Sequence, residues 1–108
     1  MRRYTLRLTD RAETDLRELY DYLKDVTSPS TARRYVNRIV TFLTGLEQFP
    51  MRGTVRTELR AGLRIIGFER RVSVAFIVEE TEVVILRLLY GGRSLEPDDL
   101  DPPPTPDP

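Results

Sequence analysis

The sequence predicts an α+β domain in which an N-terminal strand and a helical hairpin precede a three-stranded antiparallel meander. Residues 62–93 contain three short apolar segments rich in β-branched residues, and residues 72–79 alternate with the period of two that is typical of strands. The breaks at 69–71 and 80–82 are too short for a helical crossover, so neighbouring strands must pair antiparallel.

The N-terminal half of the sequence is predicted to form an edge strand followed by two helices. Apolar and polar residues alternate over 3–9, which indicates a half-buried strand. Thr9 or Asp10 can cap the first helix, whose apolar residues recur at helical spacing and whose other side is acidic. Ser28 as N-cap, with Pro29 at the first helical position, starts a second amphipathic helix that ends at residues 49–53.

The strand at residues 83–90 is apolar on both faces except at Arg87. One face is expected to meet the helices, and we expect the other face to be at least partly covered by a partner. Residues 54–61 are predicted to form a loop or a short extra strand, and Tyr35 is predicted to lie in the core.

Length and composition limit the classes of function that are open to this chain. At 108 residues it forms one domain, predicted at 1–95, followed by an acidic, proline-rich tail at 96–108 that is expected to be largely disordered. The absence of cysteine and histidine excludes a disulfide framework and a thiolate site and removes the commonest metal ligand, so we expect no metal and no cofactor. No segment has a signal-peptide core or transmembrane length, which favours a soluble cytoplasmic protein without a membrane partner.

The charges balance overall but are unevenly distributed. Seventeen basic and seventeen acidic residues cancel, so net charge gives no argument for direct nucleic-acid binding, which we do not expect. Residues 26–71 carry nine basic and three acidic groups (net +6), whereas residues 96–108 carry five acids and no base (net −5). All basic residues but one are arginine, the side chain suited to bidentate pairing with carboxylate or phosphate.

A spaced set of short motifs runs through the chain. Its members are Leu8-Thr9, Ala12, Asp15-Leu16, Tyr22-Leu23, Ala32-Arg33-Arg34-Tyr35, Leu46, Phe49-Pro50, Arg52-Gly53, Gly62-Leu63-Arg64 and Val84-Ile85-Leu86-Arg87. With this pattern over residues 4 to about 95, the chain resembles the RelE/ParE toxin superfamily and is most similar to its ParE branch.

The resemblance implies the toxin of a type II toxin–antitoxin pair, involved in plasmid stabilization and held inactive in a hetero-oligomer by a cognate ParD-like antitoxin. It also implies two different targets, since ParE-like members inhibit DNA gyrase whereas RelE-like members cleave mRNA on the ribosome. A third alternative is a member without toxicity that survives as an antitoxin-binding module.

The residue chemistry favours binding over cleavage. RNA cleavage needs groups that take and give protons as well as cations that stabilise the phosphate. Arginines are plentiful, but histidine is absent and Tyr90 or a nearby glutamate would need a strongly shifted pKa. We therefore predict a binding inhibitor of gyrase with no catalytic residue.

Eight residues are candidates for contacts with the target or the antitoxin. They are Arg33, Arg34, Arg38, Arg64, Arg71, Arg87, Tyr90 and Arg93. For Arg64 and Arg87, a structural ion pair with a helix carboxylate such as Asp15 is an equally good interpretation.

Overall fold

The computed structural model describes residues 3–91, in which two helices pack on a five-stranded sheet. The elements in chain order are β1 (Thr5–Leu8), α1 (Asp10–Val26), α2 (Pro29–Thr44), a 3₁₀ turn (Gly45–Glu47), β2 (Thr54–Val55), β3 (Arg64–Phe68), β4 (Val72–Val78) and β5 (Glu82–Tyr90). The predicted α+β class is confirmed, and β2 is the short extra strand that was one of the two alternatives for residues 54–61. Arg93 and the predicted tail lie outside the described residues.

The strand order is β1-β5-β4-β3-β2, with β1 parallel to β5 and every other pair antiparallel. β1 therefore lies at an edge of the sheet, as predicted. Its parallel pairing with β5 is possible because the helical hairpin and three further strands separate the two in sequence, which leaves ample chain for the crossover.

Local side-chain hydrogen bonds start both helices. Thr9, the N-cap of α1, accepts a hydrogen bond from the Ala12 backbone N–H at 3.1 Å and donates one to the Leu86 carbonyl at 3.0 Å. Ser28 caps α2 with Pro29 in the first turn, as predicted. α2 ends at Thr44, before residues 49–53, because the chain tightens into the 3₁₀ turn.

The main core lies between the helices and one face of the sheet. Ile39 and Leu43 of α2 are buried against Phe76 of β4 and Ile85 of β5. Burial of each such side chain contributes on the order of 1.5–3 kcal/mol. Tyr35 is only half-buried and packs at the margin of this core, where its ring meets the edge of Phe68.

The other face of β5 is covered by the chain itself, so the predicted partner on that face is wrong. Val84 and Leu86 are buried there against Leu63, which has no exposed surface, and against Leu59. A hydrogen bond from the Arg56 N–H to the Leu63 carbonyl closes the connection between β2 and β3 and folds these leucines onto the sheet. Nothing in the periodicity of the strand itself reveals this internal cover.

Within residues 3–91, no helix is long and apolar enough to cross a membrane.

Candidate functional site

An arginine–tyrosine cluster forms where the β3–β4 turn and the end of β5 meet α2. We define it as Tyr35, Arg38, Glu69, Arg71 and Tyr90. The Tyr90 hydroxyl lies beside the Arg71 guanidinium and raises the pKa of Arg71, and the Tyr35 and Tyr90 rings meet edge to face with centroids 6.4 Å apart. The cluster thus joins α2, a hairpin turn and the last strand at one end of the sheet.

Arg38 ties α2 to the hairpin turn. Its Nε lies 3.0 Å from Oε2 of Glu69, and its Nη2 binds Oε1 of the same carboxylate. The Arg38 guanidinium also lies 5.0 Å from the centroid of the Tyr35 ring, which makes a cation–π contact. The bidentate geometry orients both side chains, although solvent around this exposed pair limits its contribution to stability.

The turn that presents Glu69 has an unusual backbone. Glu69 and Arg70 both have positive φ, at 50° and 61°, and the Arg71 N–H donates to the Phe68 carbonyl at 3.1 Å. Two successive positive φ values are typical of a type I′ hairpin turn, where asparagine and glycine are the favoured residues. Glu69 and Arg70 occupy these two positions instead, so the turn carries two charged side chains beside α2 at the cost of an unfavourable positive φ at each residue.

Four groups of the cluster, Tyr35, Arg38, Glu69 and Arg71, have shifted pKa values, and every shift leads away from neutral pH. Burial raises the pKa of Tyr35 above its ordinary value of 10.0, and Glu69 and Tyr90 raise it further while Arg71 and Arg38 oppose the change. The hydrogen bond from Arg38 lowers the pKa of Glu69 below 4.5. At neutral pH Tyr35 therefore stays protonated and Glu69 stays ionised.

Arg87 lies away from this cluster, in a buried ion pair with α1. Its Nε is 2.7 Å from Oδ2 of Asp15 and its Nη2 is 3.0 Å from Oδ1, and the Leu88 N–H also donates to Oδ2 at 2.9 Å. Arg87 is 4% exposed. Of the two interpretations of Arg87, a contact with the target or antitoxin and a structural ion pair, the geometry shows the ion pair with Asp15.

The other predicted residues are dispersed. Arg64 opens β3, at the end of that strand away from the turn, and its Nη1 lies 3.4 Å from the Arg52 carbonyl. Arg33 and Arg34 are exposed on α2, and Arg34 lines a surface depression of about 420 Å³ together with Tyr35 and Arg38. Of the eight candidates, the structure thus groups Arg34, Arg38, Arg71 and Tyr90, and it separates Arg64 and Arg87 from them.

Sequence reasoning missed Glu69 as a member of the cluster and Tyr22 as its neighbour. Tyr22 is 53% exposed on α1, with its ring centroid 5.8 Å from that of Tyr90. An aromatic residue off the apolar stripe of an amphipathic helix was the available signal for Tyr22, whereas no pattern pointed to Glu69. In the described part of the chain, no group of three or more potential ligands could hold a metal ion.

Comparisons with known proteins agree on the family. The model of the ParE toxin of the type II toxin–antitoxin system parDE matches residues 6–95. Among solved structures, a chain of the chromosomal ParDE toxin–antitoxin system from P. aeruginosa is 30% identical, with a TM-score of 0.72 over 82% of this chain and 96% of that one. A chain of the RelBE2 toxin–antitoxin complex from Mycobacterium tuberculosis is 28% identical, with a TM-score of 0.65 over 86% and 97%. No match was found among curated protein sequences.

The matched region contains both helices, the whole sheet except Thr5, and the whole arginine–tyrosine cluster. With the fold, the relatives and the family model in agreement, the chain belongs to the ParE toxin family and is a type II toxin of the ParE/RelE class.

Proposed function

We propose that this toxin inhibits DNA gyrase by binding it, without cleaving RNA, and that a ParD-like antitoxin neutralises it in the cytoplasm. The observation that carries the choice of binding is that all four pKa shifts in the arginine–tyrosine cluster lead away from neutral pH. A general acid or base works best when its pKa lies near the working pH, and such a group is typically worth ~10²- to 10⁴-fold in rate. The pKa of Tyr35 is raised and the pKa of Glu69 is lowered, so both lie further from neutral pH than usual.

The position of Arg87 supports the same choice. A nuclease site would use this arginine to stabilise charge on the phosphate, but here the guanidinium is buried against Asp15. Exposing it would break a buried ion pair, which typically costs ~3–5 kcal/mol. An exposed group of arginines beside tyrosine rings is better suited to recognising an acidic surface.

The antitoxin is proposed to cover two exposed apolar regions of the toxin. Tyr22 and Val26 lie one turn apart on α1, 53% and 57% exposed. Phe49, Met51 and Val55, at 51–62% exposure, follow one another on the segment between α2 and β3. Exposed aromatic and aliphatic side chains of this size mark interaction sites when they are grouped. The P. aeruginosa and M. tuberculosis relatives come from ParDE and RelBE2 toxin–antitoxin systems, which supports a partner of this kind.

Two assays on one preparation of antitoxin-free protein test the target. Gyrase supercoiling with detection of cleavage complexes is compared with mRNA cleavage on programmed ribosomes. We expect inhibition in the first assay and intact mRNA in the second. Arg71→Gln should weaken the inhibition, whereas the matched control Arg7→Gln, in an exposed pair with Glu82 on the edge strand, should not.

Cleavage of mRNA that Arg71→Gln or Tyr90→Phe abolishes, with gyrase unaffected, would make the ribosome the target. Harmless expression in bacteria without any antitoxin, together with inactivity in both assays, would instead identify a module that only binds the antitoxin.

A further inference from the structure

Four arginines form a continuous basic surface beside the cluster, which we name the arginine flank: Arg34, Arg38, Arg70 and Arg71. Arg34 lies one helical turn before Arg38, and Arg38 reaches across to Glu69 in the turn that also carries Arg70 and Arg71. All four side chains are exposed, and Glu69 is the one acidic residue among them. Within residues 3–91, neither Arg34 nor Arg70 forms an ion pair, so the flank keeps uncompensated positive charge.

The chain leaves the described domain at this same surface. The Gly91 N–H donates to the Arg71 carbonyl at 2.8 Å, so the last described residue lies directly beside the flank. Residues 96–108 carry five carboxylates and no basic group. An extended chain spans about 3.3 Å per residue, so five residues suffice to carry the first acid some 16 Å from Gly91.

We propose that the acidic segment 96–108 binds the arginine flank of its own chain. Charge complementarity favours this surface, since the exposed side of α1 carries Glu18, Asp21 and Asp25 and would repel the segment. A short connection also gives the segment an effective concentration on the order of millimolar at the flank, so weak individual ion pairs are enough to keep it bound. Binding of the segment to the flank is independent of which target the toxin inhibits.

The consequence is competition within one molecule. Any acidic peptide that binds the flank must first displace the chain's own carboxylates. With an effective concentration of ~1 mM and a segment affinity of ~0.1 mM, the apparent affinity for the peptide falls by about tenfold. Because the arginines of the flank are exposed to solvent, salt should weaken this competition.

Paramagnetic relaxation tests the contact directly. The chain has no cysteine, so Thr105→Cys gives a single site for a nitroxide spin label within the acidic segment. In the full 108-residue chain we expect amide broadening to be concentrated on residues 31–38 and 69–71, and to be weak on 18–25. Charge reversal of the flank by Arg34→Glu with Arg70→Glu should remove the broadening. The matched reversal Arg17→Glu, on exposed α1, should leave it unchanged.

Broadening spread evenly over the domain, or centred on α1, would overturn the proposal. So would broadening that survives the reversal of Arg34 and Arg70.

A binding measurement gives a second readout. The probe is a fluorescein-labelled peptide of eight aspartates, titrated with the full chain and with a neutralised variant. The variant carries Glu96→Gln, Asp98→Asn, Asp99→Asn, Asp101→Asn and Asp107→Asn. We expect the variant to bind the probe about tenfold more tightly at low salt, with the difference lost in 1 M NaCl, where the screening length falls to about 3 Å. Equal affinities at low salt, or a difference that 1 M NaCl leaves intact, would contradict competition by charge.

Discussion

Replacing Asp15 with alanine removes the partner of a buried arginine and should be among the most destabilising single changes in this domain. The side chains of Arg87 and Asp15 are only 5% and 9% exposed. Asp15 accepts two hydrogen bonds from the Arg87 guanidinium and a third from the Leu88 N–H. Alanine would leave the arginine charged and buried without this carboxylate.

The expected loss is a large share of the total stability. Removing one member of a buried ion pair costs about 3–5 kcal/mol, whereas a domain of this size unfolds with roughly 5–15 kcal/mol. Asp15→Asn should cost less than Asp15→Ala, because an amide oxygen can still accept the hydrogen bond from Leu88. Combining Asp15→Leu with Arg87→Met should recover much of the loss, since no buried charge then remains.

Urea denaturation of the purified chain, followed by far-UV circular dichroism, measures these free energies of unfolding. The matched control is Glu82→Ala, which removes the partner of Arg7 in a pair whose side chains are 32% and 52% exposed. This control should change stability by no more than about 1 kcal/mol. If Asp15→Ala costs as little as Glu82→Ala, the buried pair does not hold α1 to β5 and the structural role assigned to Arg87 is refuted.

Three further changes test the turns and the cluster by the same measurement. Gly53→Ala should cost about 2–3 kcal/mol, because φ is +81° and an added Cβ would clash with the Ile65 carbonyl oxygen. Gly62→Ala, at φ +75° with open space around the added Cβ, should cost only about 1 kcal/mol. Equal losses would contradict the steric argument. Arg70→Gly should stabilise the positive-φ turn by about 0.5–1 kcal/mol, and a loss would show that the turn is unstrained. Tyr35→Phe should be neutral or stabilising by about 1 kcal/mol, since the buried hydroxyl has no hydrogen-bond partner among residues 3–91. Because the pKa of Tyr35 is higher in the folded state, wild-type stability should fall as pH rises above 10, and a phenylalanine variant with the same fall would exclude Tyr35 as its cause.

The elements of the fold could be read from local patterns. Alternation of period two over residues 72–79 predicted β4, and the Ser28-Pro29 start of α2 was visible in the residues themselves. Both signals depend on the conformational preferences of a residue and its near neighbours in sequence. They can therefore be recognised without knowledge of the tertiary structure. Local pattern also narrowed the N-cap of α1 to Thr9 or Asp10. The backbone geometry of the structure then identified Thr9 as the cap.

The candidate site was only partly predictable. The sequence by itself determined the α+β class and the resemblance to the toxin superfamily. It also determined the scarcity of proton-exchanging side chains and the excess of arginines over acidic residues in residues 26–71. Only the tertiary structure decided which arginines meet: Arg38 and Arg71 come together through the β3–β4 turn, whereas Arg87, 72 residues from Asp15 in sequence, is buried against it. Only the tertiary structure showed that Leu63 covers the second face of β5. The physical reason is that charge pairing and burial depend on distances across the fold, and periodicity along the chain carries no information about those distances.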